Sequence, residues 1–190
     1  MYHKEIEKPE EGLILWNGAT SPVLAAPGNY FAKVIIDNDT TELPFEIVAD
    51  PNYKVSNADL KAQEQFLLSV ADNFSAIMKT LKGIKEIRTQ IQTVQKKTKD
   101  TSFQKQSNTI LASLNTIEEA LHQTKAKSGQ DVLNYPIRLD DKIAGVFGSA
   151  SSGYTAPTKQ VQETFVDLKA KVDVQLKLYD NLKKEGIKAL

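Results

Sequence analysis

From Leu67 onward, apolar residues recur at a strict 3-4-3-4-3 spacing: Leu67, Val70, Phe74, Ile77, Leu81 and Ile84, with the stripe continuing through Ile87, Ile91 and Val94. Residues three and four apart share one face of an α-helix, so this stretch reads as helical. A stripe of that length needs other apolar surfaces to cover it, which points to a bundle. Ser56-Asn57-Ala58-Asp59 ahead of it has the form of a capping box, with Asp59 where Glu is usual. The expected helix covers about 57–98, or about 60 Å at 1.5 Å per residue. Gly83 inside it weakens it by about 1 kcal/mol relative to alanine without having to break it.

Two further stripes supply the cover. Phe103, Ser107, Ile110, Leu114, Ile117 and Leu121 repeat at 4-3-4-3-4 behind Thr101 and Gln104, a second capping-box pair, and Ser128-Gly129 ends this helix of about 101–127. Val161, Phe165, Leu168, Val172, Tyr179 and Leu182, with Gln175 as the polar member, form the seam of a helix over about 157–188 that Pro157 opens. The short Lys99-Asp100 turn implies antiparallel neighbours. Residues 128–156 are long for a plain connection. Within them Tyr135-Pro136 opens a short helix of about 136–147, through Ile137, Leu139, Ile143, Val146 and Phe147, stopped at Gly148. It is expected to cover the part of the first helix that the shorter second one leaves bare. Gly148–Gly153 reads as a flexible loop.

Before Pro51 the pattern is strand-like. Leu13–Trp16 is a short apolar run ending at the turn dipeptide Asn17-Gly18, and Pro27-Gly28-Asn29 is another turn. Tyr30–Ile36 is the clearest strand. Asp37-Asn38-Asp39 is a hairpin loop, and Phe45–Val48 pairs back onto 30–36. The expectation is therefore a mainly α chain with a small β part. An antiparallel three-helix bundle with a short fourth helix, over 52–190, follows a partial, about three-stranded antiparallel sheet over 1–51. Such a sheet leaves a face and an edge bare unless something packs on it.

Charge and composition exclude more than they indicate. Lys and Arg against Asp and Glu balance at 24 each, but unevenly: 5 against 11 in 1–64, 10 against 5 in 65–127, and 9 against 8 in 128–190. An acidic front and a basic middle could attract one another within the chain. The absence of cysteine excludes disulfides and thiolate chemistry. No apolar run approaches the ~20 residues of a membrane span. The polar start Met1-Tyr2-His3-Lys4-Glu5 is not a signal peptide.

Chemistry-bearing residues are sparse. His3 and His122 are far apart and lack thiolate partners, so no metal site is expected. No G-x-S-x-G elbow presents a serine to His122. Asp140-Asp141 and Glu118-Glu119 are adjacent pairs that point in different directions on a helix, and are expected to be solvated. Gly145 and Gly148 match no phosphate loop. Lys79, Lys82, Lys85, Arg88, Lys96, Lys97 and Lys99 read as the wet face of the first helix, without interleaved aromatics to stack bases, so no nucleic acid is expected. Asn38-Asp39-Thr40 and Asn73-Phe74-Ser75 are sequons at a chance rate, and Asn73 falls mid-helix. Trp16 is expected to pack against sheet or bundle. Neither catalytic nor cofactor residues are expected. Asn134, Tyr135, Arg138 and Tyr154 are the candidate partner surface, because exposed loops on a rigid bundle commonly carry function.

Trp16-Asn17-Gly18, Pro27-Gly28-Asn29-Tyr30-Phe31-Ala32-Lys33-Val34 and Phe45-Glu46-Ile47 resemble the last strands of small immunoglobulin-like β-domains of the flagellar hook-capping type. Ala49-Asp50-Pro51, Ser56-Asn57-Ala58-Asp59-Leu60, Leu133–Leu139 and Ala156-Pro157-Thr158 resemble the C-terminal region of bacterial sortilin-like proteins built from neuraminidase-type repeats, which are often labelled glycosyl hydrolases and usually exported. The resemblance implies an exported accessory or binding tail whose first partner is an upstream β-propeller, with a possible further protein partner and no catalytic residue carried over. It also implies that the first strands of the β-unit lie in the portion upstream. A carbohydrate-active hydrolase fragment and a self-associating helical adaptor are the alternatives.

Overall fold

The structure is a computed structural model and describes residues 3–4, 6–9, 12–16 and 21–186. It is mainly α with a small β part. Four strands, β1 (His3–Lys4), β2 (Val23–Leu24), β3 (Gly28–Ile36) and β4 (Asp39–Ile47), precede four helices, α1 (Asn57–Gln95), α2 (Thr101–Leu121), α3 (Leu139–Ser151) and α4 (Lys159–Asn181). A 3-10 turn, Gly129–Leu133, and a closing π-helical turn, Leu182–Gly186, complete the described elements. The Asn17-Gly18 turn and the expected end of the last helix at 187–188 lie outside the described residues.

The three stripes form the core. Phe74, Ile77 and Ile84 of α1, Leu114 and Leu121 of α2, and Val172 of α4 are fully or almost fully buried, and Ile143 and Phe147 of α3 join them. At about 1.5–3 kcal/mol per well-buried Leu, Ile or Phe, this shared interior holds the bundle together. The short fourth helix covers α1 as expected, packing against both α1 and α4. It is displaced from the expected 136–147, because Arg138 rather than Tyr135-Pro136 precedes its first turn, and it runs past Gly148. A Cβ at Gly148 would meet open space, and Phe147 and Ala150 on either side are buried, so the core carries the helix through that glycine.

Two other ends differ from expectation. The cap of α2 is Asp100, whose Oδ1 accepts from the amides of Ser102 and Phe103; Gln104 instead reaches back to the carbonyls of Gln95 and Thr98. The helix stops at Leu121, six residues short of 127, because His122 turns to extended geometry and bonds elsewhere. Ser56 does cap α1, accepting from the Asp59 amide at 3.1 Å.

Leu13–Trp16 is not a strand. The β part is instead a two-residue pairing of β1 with β2 and a separate long hairpin of β3 with β4, in register from Gly28↔Ile47 to Ile36↔Asp39. Ile6, Leu13 and Leu15 lie half-buried against the bundle, and the Glu7 amide donates to Ser75 Oγ of α1 at 3.1 Å. Asp37 takes positive φ in the two-residue turn, Asp37-Asn38, that joins β3 to β4. Tyr30 and Ile47 are half-buried at the hairpin root, and the strands beyond them are exposed. Ile36, at the tip, keeps 68% of its surface.

Candidate functional site

A cavity of about 460 Å³ opens where the hairpin meets the bundle. Its walls are the segment 21–27, the end of β4 with the turn that follows, the first turns of α1, and the α3–α4 connection. The size is within the ~300–1,000 Å³ usual for small-ligand sites.

Local bonding fixes each wall. Val23 and Ala26 are buried and anchor the 21–27 segment, and the Tyr30 hydroxyl donates to the Ala26 carbonyl at 2.7 Å. Asp50 makes an Asx-type turn: its Oδ1 accepts from both the amide and the side-chain nitrogen of Asn52 at 2.9 Å, and its carbonyl accepts from the Tyr53 amide. That turn sets the Tyr53 ring 4.5 Å from the ring of Tyr154 across the mouth. Gln63 Nε2 donates to the carbonyl of Ala150 at 2.7 Å and also to that of Gly153. Both amide hydrogens are thus occupied, and Oε1 remains as an acceptor. Burial, and secondarily the negative charge of Glu64, push the Tyr30 hydroxyl above its ordinary range.

The residues singled out from sequence are split. Tyr154 lies on this cavity, half exposed. Asn134, Tyr135 and Arg138 lie beyond the opposite end of α3, whose 13 residues span about 20 Å at 1.5 Å each. The four therefore do not share one surface. The amides of Asn134 and Tyr135 both donate to the Asp131 carbonyl, and Arg138 is exposed at the start of α3. Tyr135 instead shares a shallow recess with Trp16, Gln123 and Asp141. Trp16 is half exposed there rather than packed away.

Asp140 and Asp141 overturn the expectation of solvated carboxylates. Both are buried, Asp140 completely. They occupy the first turn of α3, where the helix dipole favours negative charge, and Asp140 faces the end of α2. Its Oδ2 lies 2.6 Å from Nδ1 of His122, and its Oδ1 accepts from the Asp141 amide. His122 is 5% exposed. The pair ties the end of α2 to the start of α3. Glu118 pairs with Arg88, whereas Glu119 is exposed. The side chain of His3 lies outside the described residues, and no cluster of three metal-ligating side chains occurs among those described.

Gln63, Glu64 and Tyr53 were not singled out from sequence. The signal for Gln63 was present: it sits four residues before Leu67, on the seam, where a polar side chain needs a partner. Asn73 of the second sequon is buried, and Asn38 of the first is exposed at the hairpin turn. The basic positions of α1 are exposed apart from Arg88, and no described helix is long and apolar enough to cross a membrane.

Comparison with protein-family models, with curated proteins and with solved structures finds no match.

Proposed function

We propose that this chain is a binding module in which the helical bundle holds out a β-hairpin to a β-structured partner. The single observation that carries the reading is the hairpin itself. Beyond its half-buried root, a hairpin of nine residues per strand extends from the bundle with Val34, Ile36, Leu43 and Phe45 exposed on one face. A lone two-stranded hairpin is marginal in water, and such a face is ordinarily covered. The resemblance to tails of exported β-propeller proteins supplies a partner of the right kind, a β-domain or propeller encoded upstream.

Backbone direction makes the reading specific. A two-residue turn closes on a hydrogen-bonded pair, Ile36 with Asp39, so bonded and non-bonded pairs alternate from there. Asn29, Phe31, Lys33 and Ile35 turn their backbone polar groups outward on β3, as do Thr40, Glu42, Pro44 and Glu46 on β4. Proline has no N–H to offer, and two glutamates flank it, so the β4 edge is blunted while the β3 edge is intact. Self-pairing is disfavoured by charge: one lysine against Asp37, Asp39, Glu42 and Glu46 gives 1 − 4 = −3 per hairpin.

Amide hydrogen exchange tests this. The amides of 29, 31, 33 and 35 should exchange freely in the chain alone and slow by at least about 100-fold when it is mixed with the β-domain encoded upstream. Equal exchange in both samples, or a dimer of the chain alone by sedimentation with those amides already protected, overturns the proposal.

A further inference from the structure

We propose that the cavity at the hairpin root binds an organic cation, a primary ammonium or guanidinium carried on a short apolar stem. This goes beyond the docking of the hairpin and does not depend on it.

The charged side chains that line the cavity are both acidic. Glu64 and Asp50 contribute carboxylates, and among the described residues no lysine, arginine or histidine lines the space to neutralise them. Gln63 is held with Nε2 on two carbonyls, so the group it has left to offer is Oε1. The negative field reaches the neighbouring phenol, since Glu64 adds to the burial that pushes the Tyr30 hydroxyl above its ordinary range. An anion entering here would be repelled by both carboxylates, and a neutral apolar ligand would make no use of the Glu64 carboxylate or the Gln63 Oε1 acceptor. A cation with several N–H donors satisfies carboxylate and amide oxygen together.

The remaining surface matches the other parts of such a ligand. Tyr53 and Tyr154 are half exposed, with rings 4.5 Å apart and tilted by 42°. Aromatic faces at the mouth of an acidic cavity favour a cation by their quadrupole. Leu67 and Phe147, both buried, supply apolar wall for a stem of several methylenes. A free amine and a lysine or arginine side chain of a partner share this chemistry.

The test is calorimetric titration of the intact chain with n-hexylamine and agmatine, with hexanoate and hexanol as probes of matched length. N-acetyl-lysine methylamide and N-acetyl-arginine methylamide represent a partner's side chain. Both amines, or both blocked amino acids, should bind saturably, with hexanoate at least about tenfold weaker and affinity falling as salt rises. Amide shifts should centre on Gln63 and Gly153. Glu64→Gln should weaken cation binding about tenfold with an unchanged spectrum elsewhere, and Tyr154→Leu should weaken it several-fold. Tighter binding of the blocked amino acids than of the free amines assigns the site to a partner's side chain, and the reverse order to a free amine. Binding of hexanoate or hexanol as tight as that of hexylamine, shifts centred elsewhere, or no saturation by any cation overturns the proposal.

Discussion

Gly83 offers a sharp test of how the bundle is packed, because helix propensity and packing predict opposite signs. By propensity alone, Gly83→Ala in the interior of a 39-residue helix should stabilise by about 0.8–1 kcal/mol. The structure opposes this. A Cβ at position 83 would overlap the hydroxyl oxygen of Tyr179 and lie 3.2 Å from its Cζ. Tyr179 belongs to α4, is 7% exposed, and has Lys183 Nζ 5.3 Å from its ring centroid. Its hydroxyl is pushed above its ordinary range by burial first, then by Glu86 and Asp180. A ring held on several sides cannot swing away as the end of a flexible chain would. Relief requires α4 to retreat from α1 or the ring to leave its rotamer, and overpacking of this kind costs about 1–3 kcal/mol.

Subtracting the propensity gain leaves Gly83→Ala destabilised by up to about 2 kcal/mol. Tyr179→Phe removes the overlapping oxygen and leaves Cζ at 3.2 Å, a few tenths of an ångström inside the ~3.5–4.0 Å optimum for carbon pairs. The double variant should therefore be more stable than additivity predicts, by at least about 0.5 kcal/mol, in a chemical-denaturation cycle over all four forms. A stabilised Gly83→Ala, or a strictly additive cycle, would show that Tyr179 does not approach α1 as described, and the α1–α4 packing would need redrawing.

Other perturbations separate in the same way. His122→Leu removes the partner of the buried Asp140 Oδ2, at about 1–3 kcal/mol, whereas His122→Leu with Asp140→Leu should cost less than the single change in thermal unfolding. Gln63→Leu deprives the carbonyls of Ala150 and Gly153 of their donor, at about 1–3 kcal/mol, and should speed amide exchange across 150–154. Asp131 is held below the ordinary carboxylate range, first by the amide of Lys127 and then by that of Ser128. A depressed value means its contribution is present above the usual carboxylate pKa of about 3.9 and is lost as pH falls through its own lower value. Asp131→Asn should thus differ from the parent in melting temperature at neutral pH and converge with it at strongly acidic pH; a gap that stays constant with pH would refute this.

What could be read from sequence was whatever a periodic stripe can announce. Leu67 through Ile84, Ile110 through Leu121 and Phe165 through Val172 repeat because one face of each helix must be dry, and they form the interior. Helix ends are set by single side chains competing for the same few amides, so Asp100 could displace Thr101 as a cap without altering the pattern. The pairing of His122 with Asp140 was hidden for a different reason. Adjacent carboxylates normally mark a wet surface, and only the turn of the chain between α2 and α3 brings a histidine to one of them. The cavity was the least legible feature, since its walls come from residues 21–27, 47–67 and 147–154, and no local pattern links them.

On the proposed docking of the hairpin, a small sequence detail decides the assembly. Its Lys33-for-Glu42 and Phe31-for-Pro44 cross-strand pairs leave one outer edge complete and the other missing a donor between two acidic residues. A sheet with two open edges can add strands indefinitely, which is the route to fibres. With the β4 side blocked by Pro44, a partner strand can extend only the β3 side, and the resulting sheet then presents the partner's own edge rather than a repeat of this one. The geometry accordingly favours a closed one-to-one complex. Replacing Pro44 with valine should restore the second edge and make the chain self-associate as concentration rises. Unchanged sedimentation of Pro44→Val across that range would mean that charge, through Glu42 and Glu46, is enough to guard the edge without the proline.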